Sequence, residues 1–166
     1  MSLVLLTNVM QYTGPGALEA LLRDGHTVAC HDAPFTDTAA HAAFDSRHAA
    51  ARALQGQTPG AVHAEVVARW GVPDGVVSND VYPITGQEIE VIPLDDLRAT
   101  FEAVVGFPVR LTQLVLPAMK ARGSGAFVFV TSTHETRPEP GFAVPTTLRA
   151  ATTAFAKALA EERRSD

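Results

Sequence analysis

Ser132 follows the apolar run Ala126-Phe127-Val128-Phe129-Val130, and Arg149 lies early in the helical pattern that ends the chain. A strand-end hydroxyl and a helix-borne guanidinium can hold one small polar substrate, the first by hydrogen bond and the second by charge. Chemistry on such a substrate also needs a group that moves a proton. Between the two residues, where a third catalytic group is expected, the chain has Pro145, which has no titratable atom. His134 and Glu135 offer a substitute base or a metal pair. A loop histidine two residues past a strand is usually solvated, and no second set of spaced ligands exists, so no metal site is expected. Each candidate also has a plainer reading. Ser132 can cap local backbone, Arg149 can form a surface ion pair, and Asp80 can be a turn aspartate. Tyr12 can be core, and Pro145 can sit at the first helical position of the last helix.

These residues need elements to position them. Leu3-Val4-Leu5-Leu6-Thr7 is apolar on both faces, as a central parallel strand is. A helix follows with Leu18, Leu21 and Leu22 on one face, Gly25 ends it, and Thr27–His31 forms a second strand closed by Asp32. Ala39–Ala53 reads as an alanine-rich helix, with an alternative strand at Arg52-Ala53-Leu54. Thr58-Pro59 is a helix start whose apolar face is Val62, Val66 and Trp70. Gly75–Ser78 is the next central strand, and a polar loop continues to Pro93. A long helix over 94–122 has Asp95 and Asp96 in its first turn and apolar positions at Leu97, Phe101, Val104, Leu111, Val115 and Ala118. Pro108 should bend it. Gly123-Ser124-Gly125 turns into the Phe127–Val130 strand, read as buried, and the last helix shows Leu148, Phe155 and Leu159 on one face. The alternation predicts an α/β fold: one Rossmann-like domain over 1–166, a doubly wound parallel sheet with helices on both faces. Active groups then gather at strand carboxyl ends, over Thr7–Tyr12, Ser78–Tyr82 and Thr131–His134.

The bulk numbers narrow the function. A chain of 166 residues, 46% hydrophobic, supports one core. Net charge −5 with no Lys/Arg block argues against nucleic acid. Cys30 is the sole cysteine, so no intrachain disulfide forms and a reducing cytoplasm fits. The run Leu3–Leu6 is too short for a signal peptide, and no apolar run approaches the roughly 20 residues of a membrane span.

The turn after the first strand is the most informative loop. A dinucleotide binder carries glycines there so that backbone amides approach the pyrophosphate. Here Gly14 and Gly16 come late, and Asn8 and Tyr12 take positions where no side chain is wanted. The expectation is that the nucleotide space is filled and that Tyr12 lines a small pocket. The alternative is an unusual but working loop.

At these residues the chain resembles the halohydrin dehalogenases, a branch of the short-chain dehydrogenase/reductase superfamily. The resemblance rests on Thr7-Asn8-Val9 with Tyr12 and Gly14, on His26–Asp32, on Val77-Ser78-Asn79-Asp80, and on Val130-Thr131-Ser132 with Arg149-Ala150. It implies a halide site in place of the nicotinamide pocket, no redox cofactor, closure of vicinal haloalcohols to epoxides, and reopening of epoxides by small anions. It implies that Ser132 holds the substrate oxygen, that Arg149 lowers the pKa of a neighbouring tyrosine, and that Asp80 orients Arg149. Tyr12, with Asn8 and Tyr82, would enclose the halide. Two departures follow. The family's base tyrosine falls thirteen residues after the serine, at position 145, which is proline here, and the only tyrosines are Tyr12 and Tyr82. The family also continues for two more strands and a loop, so the fold is expected truncated after the fifth strand and its helix, with an exposed apolar edge. The partners implied are a small haloalcohol or epoxide, a halide ion, and a second copy of the chain through the helices 94–122 and 145–164. Two other readings stay open: an NAD(P)-dependent oxidoreductase of the same superfamily, and a non-catalytic truncated paralogue acting by dimerisation.

Overall fold

A computed structural model describes residues 1–81 and 86–164. Five short apolar segments pair in parallel: β1 (Leu3–Leu6), β2 (Thr27–Cys30), β3 (Ala51–Ala53), β4 (Gly75–Ser78) and β5 (Ala126–Phe129). Their order is β3-β2-β1-β4-β5. Leu3 faces Thr27, and Val4 lies between Val28 and Gly75. The chain moves outward from β1 to β3, then crosses back to β4. The connection leaving β1 and the one leaving β3 therefore run in opposite directions across the sheet, and a crevice opens at the carboxyl ends of β1 and β4. Right-handed crossovers set helices α1 (Gly14–Arg23) and α2 (Thr38–Arg47) on one face and α3 (Pro59–Trp70) and α5 (Phe107–Arg122) on the other. This is the Rossmann-like, doubly wound architecture expected from the strand–helix alternation.

The chain divides into two compact units. The first, Met1–Asn79 with Arg110–Val130, holds the whole sheet. Leu6, Val28, Cys30, Phe35, Ala51 and Ala53 form one core cluster with Leu18 of α1 and Phe44 of α2. Burial pushes the Cys30 thiol well up, so it is inert packing rather than a nucleophile. Val62, Val66, Leu111 and Val115 are buried on α3 and α5. Thr58 caps α3 by accepting from the Ala61 amide at 3.2 Å, with Pro59 as the first helical residue, as its sequence predicts. Arg122 closes α5 onto the base of β4, donating to the Pro73 carbonyl at 3.0 Å and pairing with Asp74 at 3.2 Å. Asp74 in turn accepts from the Leu3 amide at 2.8 Å. A Cβ on Gly125 would lie 2.4 Å from the Met119 sulfur, so the close turn into β5 requires glycine.

The second unit, Asp80–Val109 with residues from Thr131 onward, holds α4 (Leu94–Phe101), a π-helical turn (Glu102–Gly106) and α6 (Ala143–Arg164). Val104 and Val105 pack on Leu148 there. The irregularity expected at Pro108 is the π-helical turn. Proline supplies no N–H to the carbonyl four residues back, and that carbonyl, Val104 O, accepts instead from the Thr152 hydroxyl at 3.1 Å.

Several expectations need correction. The helix read over Ala39–Ala53 ends at Arg47, because 51–53 pair with β2 as a strand, the alternative noted above. The strand Phe127–Val130 is shifted to Ala126–Phe129 and is not buried: β5 is the sheet edge, and Val128 is 53% exposed. An apolar pattern reports strand type but not whether a neighbour exists on both sides. Phe101 is exposed rather than on the buried face of its helix, because the π-helical turn changes the angular register. Pro145 is not the first residue of α6, which starts at Ala143; it lies in the first turn, where an amide has no helical partner to lose. The continuous helix Leu94–Arg122 is long and apolar enough to cross a membrane by length and composition, contrary to expectation. Its Leu111, Val115 and Met119 are core residues here.

Candidate functional site

The turn from β1 into α1 is built from within. Asn8 and Tyr12 both adopt left-handed backbone, with φ of 47° and 50°. Glycine populates that region freely, whereas a bulky side chain there is strained. Gly14 cannot be replaced: its Cβ would lie 2.5 Å from the carbonyl oxygens of both Asn8 and Val9. Asn79, fully buried at the end of β4, clamps the turn. Its Nδ2 donates to the Asn8 and Gln11 carbonyls, both at 2.9 Å, and its Oδ1 accepts from the Thr13 hydroxyl at 2.8 Å. Its own amide donates to Thr7 Oγ1 at 2.9 Å. Asp32, buried at the end of β2, accepts from the Met10 amide at 2.8 Å and from Gln11 Nε2 at 3.1 Å.

Cofactor fit can be tested on this turn. A dinucleotide needs free amides and bare backbone at the turn, and an acidic residue about 20 positions on for its ribose. The Val9 amide donates to His31 O, Gln11 to Asn8 O and Gly14 to Gln11 O, and Met10 donates to Asp32. The left-handed positions carry side chains, and Asp32, the acid at ribose distance, holds the turn with both carboxylate oxygens. These residues do not fit a dinucleotide. Tyr12 is 60% exposed, so it is not core.

Asp80, Ser132 and Arg149 all fall in the second unit. Ser132 is half-buried and caps a 3-10 turn, Thr133–Glu135, with its Oγ accepting from the His134 amide at 3.3 Å. That bond uses a lone pair and leaves the hydroxyl proton to donate elsewhere, so the capping and substrate-holding readings are compatible. Arg149 and Asp80 are buried, 8% and 3% exposed, and each has a partner. A buried guanidinium is costly unless compensated, so Arg149 is not the surface ion pair of its plainer reading. Pro145 is buried in the first turn of the same helix. His134 lies 3.8 Å from Glu139 and packs its ring on Phe142 at 5.1 Å. Glu135 accepts from the Thr153 hydroxyl. No group of three metal-binding side chains occurs among the described residues. Tyr82 lies outside them. Asn8 and Tyr12 belong to the first unit.

Sequence reasoning singled out Asn8 and Tyr12 but assigned nothing to Asn79 or Asp32, the two residues that hold them. Asp32 carried a usable signal, a carboxylate closing the second strand at ribose-reading distance from the turn. Asn79 entered only as part of the Val77–Asp80 stretch that carries the resemblance, with no role assigned.

A family model described as short chain dehydrogenase matches residues 4–166. Among solved structures, one described as a dehalogenation enzyme is 34% identical, with a TM-score of 0.91, covering 97% of this chain and 66% of its own. A halohydrin dehalogenase bound to ethyl (2S)-oxiran-2-ylacetate is 32% identical, with a TM-score of 0.93, covering 97% of this chain and 64% of its own. A short-chain dehydrogenase from Streptomyces avermitilis is 29% identical, with a TM-score of 0.86, covering 97% of this chain and 60% of its own. The chain thus spans just under two thirds of the length of the first two. No curated protein sequence matches it.

Proposed function

The chain belongs to the short chain dehydrogenase family, and on that premise we propose that it is a halohydrin dehalogenase-type scaffold acting on small haloalcohols and epoxides without a nicotinamide. The observation that carries this reading is the turn after β1. Side chains stand on its two left-handed positions, and four of its amides are bonded internally. The amino end of α1 is positive by its dipole, which favours a small anion there once a pyrophosphate is excluded.

In the proposed reaction a base removes the proton of a substrate hydroxyl. The oxygen attacks the adjacent carbon, the carbon–halogen bond breaks, and the halide leaves with the bonding pair. Epoxide opening by a small anion runs these steps in reverse, returning a proton to the oxygen. Ser132 donates to the substrate oxygen. Arg149 supplies positive charge that favours a deprotonated oxygen nearby, and Asp80 orients it. Asn8 and Tyr12 are the described residues that the family resemblance assigns to the halide. Pro145 stands where the proton-transfer group belongs, so turnover is weakened by about 10² to 10⁴ relative to a chain with a base.

Halide release from a vicinal bromohydrin tests the assignment. Pro145→Tyr should raise the rate by about that factor, and adding Ser132→Ala should remove the gain. No gain in a folded Pro145→Tyr variant would reject Ser132 and Arg149 as an assembled pair. The buried proline also favours a second reading, a scaffold that assembles through α4–α5 and α6 without turnover. A stable dimer inert towards haloalcohols and epoxides, with or without the tyrosine, would support it.

A further inference from the structure

The groove between α1 and α2 is not used by the reaction above. It is a cavity of about 650 Å³, lined by Val9, Leu18, Leu22 and Phe44 as an apolar floor. Arg23, Arg47 and His48 line it as well, against a single acid, Glu19. We propose that this groove binds an amphipathic anion, a single apolar tail ending in a carboxylate, with the tail between α1 and α2 and the carboxylate at Arg47.

Volume comes first. Pockets for small ligands run from roughly 300 to 1,000 Å³ and are mostly apolar with a few polar groups at one place. The second argument is charge. The chain carries net −5, yet this groove concentrates cations. Arg23 and Arg47 are the last residues of α1 and α2, and arginine there would ordinarily be explained by the helix dipole. What the dipole does not explain is that both helices end on the same apolar cavity. Nor does it explain that Arg47 makes no ion pair or hydrogen bond among the described residues, whereas Arg23 pairs with Asp24 at 3.3 Å. The third argument is rigidity. Phe44 packs on Phe35 at 4.8 Å and on His48 at 4.7 Å, so the aromatic wall is fixed by the core rather than by a ligand. A neutral tail would gain only the floor, and a free anion only the rim. One molecule carrying both gains each.

The test is titration of the full chain with decanoate and, separately, with decanol, by calorimetry. Decanoate should bind at one site with a dissociation constant on the order of 10 to 100 μM. Decanol should bind at least about tenfold more weakly, and Arg47→Glu should weaken decanoate by a similar factor while leaving the thermal midpoint unchanged. Decanol binding as tightly as decanoate would overturn the proposal. So would decanoate affinity unchanged in Arg47→Glu, or no saturable binding up to about 1 mM. Should Arg47→Glu not fold, the decanoate–decanol comparison on the unaltered chain decides alone. Neither arm involves bromohydrin turnover, so the outcome is independent of the reading of Ser132 and Arg149.

Discussion

Tyr12 and Asn8 are unusual because the backbone beneath them is the backbone glycine would choose. Holding a tyrosine at φ 50° costs about 1 to 2 kcal/mol, so Tyr12→Gly should stabilise the fold by about 1 kcal/mol in urea denaturation while abolishing bromide binding followed by intrinsic fluorescence. A destabilised Tyr12→Gly would mean that the ring contributes packing that outweighs the strain. Asp32→Ala removes the acceptor for the Met10 amide and should cost about 2 kcal/mol by the same assay. If the loss is negligible, Asp32 does not hold the turn. The sequence made part of this visible. A tyrosine and an asparagine where a nucleotide turn wants glycine are readable as an obstruction. Their left-handed conformation is not, because φ depends on Asn79 and Asp32, which are separated from the turn in sequence and meet it only in the fold.

At the scale of elements, the π-helical turn Glu102–Gly106 and α6 depend on each other. The Val104 carbonyl lacks its helical donor at Pro108 and accepts from Thr152. Thr152→Val should cost about 1 to 2 kcal/mol, and less in a Pro108→Ala background, where an amide can return to that carbonyl. The double-mutant cycle reads this coupling directly, and additive costs would refute it. A pH-sensitive residue, His31, directly follows β2. Burial lowers its pKa below the ordinary value of 6.5, with Asp32 opposing. The folded state therefore resists the proton that the unfolded chain accepts. Its stability contribution is whole above 6.5 and is lost as the pH falls from there towards the lowered folded value. The urea midpoint should drop as the pH falls below about 6.5, and His31→Asn should flatten that drop. Strand and helix types were legible from periodicity at nearly every element. The π-helical turn and the edge position of β5 were not, since each depends on what lies beside the segment rather than on its own pattern.

For the molecule as a whole, the strand order leaves β5 at the sheet edge, with Val128 53% exposed. From that edge β5 offers Val128 to solvent, the arrangement that invites edge-to-edge association. Val128→Lys should raise the concentration at which the chain self-associates in analytical ultracentrifugation. An unchanged profile would locate association elsewhere, on α4–α5 and α6. The fold class was legible because it rests on many residues, and so was the substitution of Asn8 and Tyr12 at the glycine positions of the first turn. The site residues are single side chains whose surroundings only the fold supplies. The central claim is that this scaffold holds a small anion where its family holds a dinucleotide. Diffraction at the bromine edge from crystals grown with sodium bromide and NADP⁺ together tests it most directly. The account predicts an anomalous bromide peak beside Tyr12 and no nucleotide. A dinucleotide lying across the amino end of α1 would contradict it.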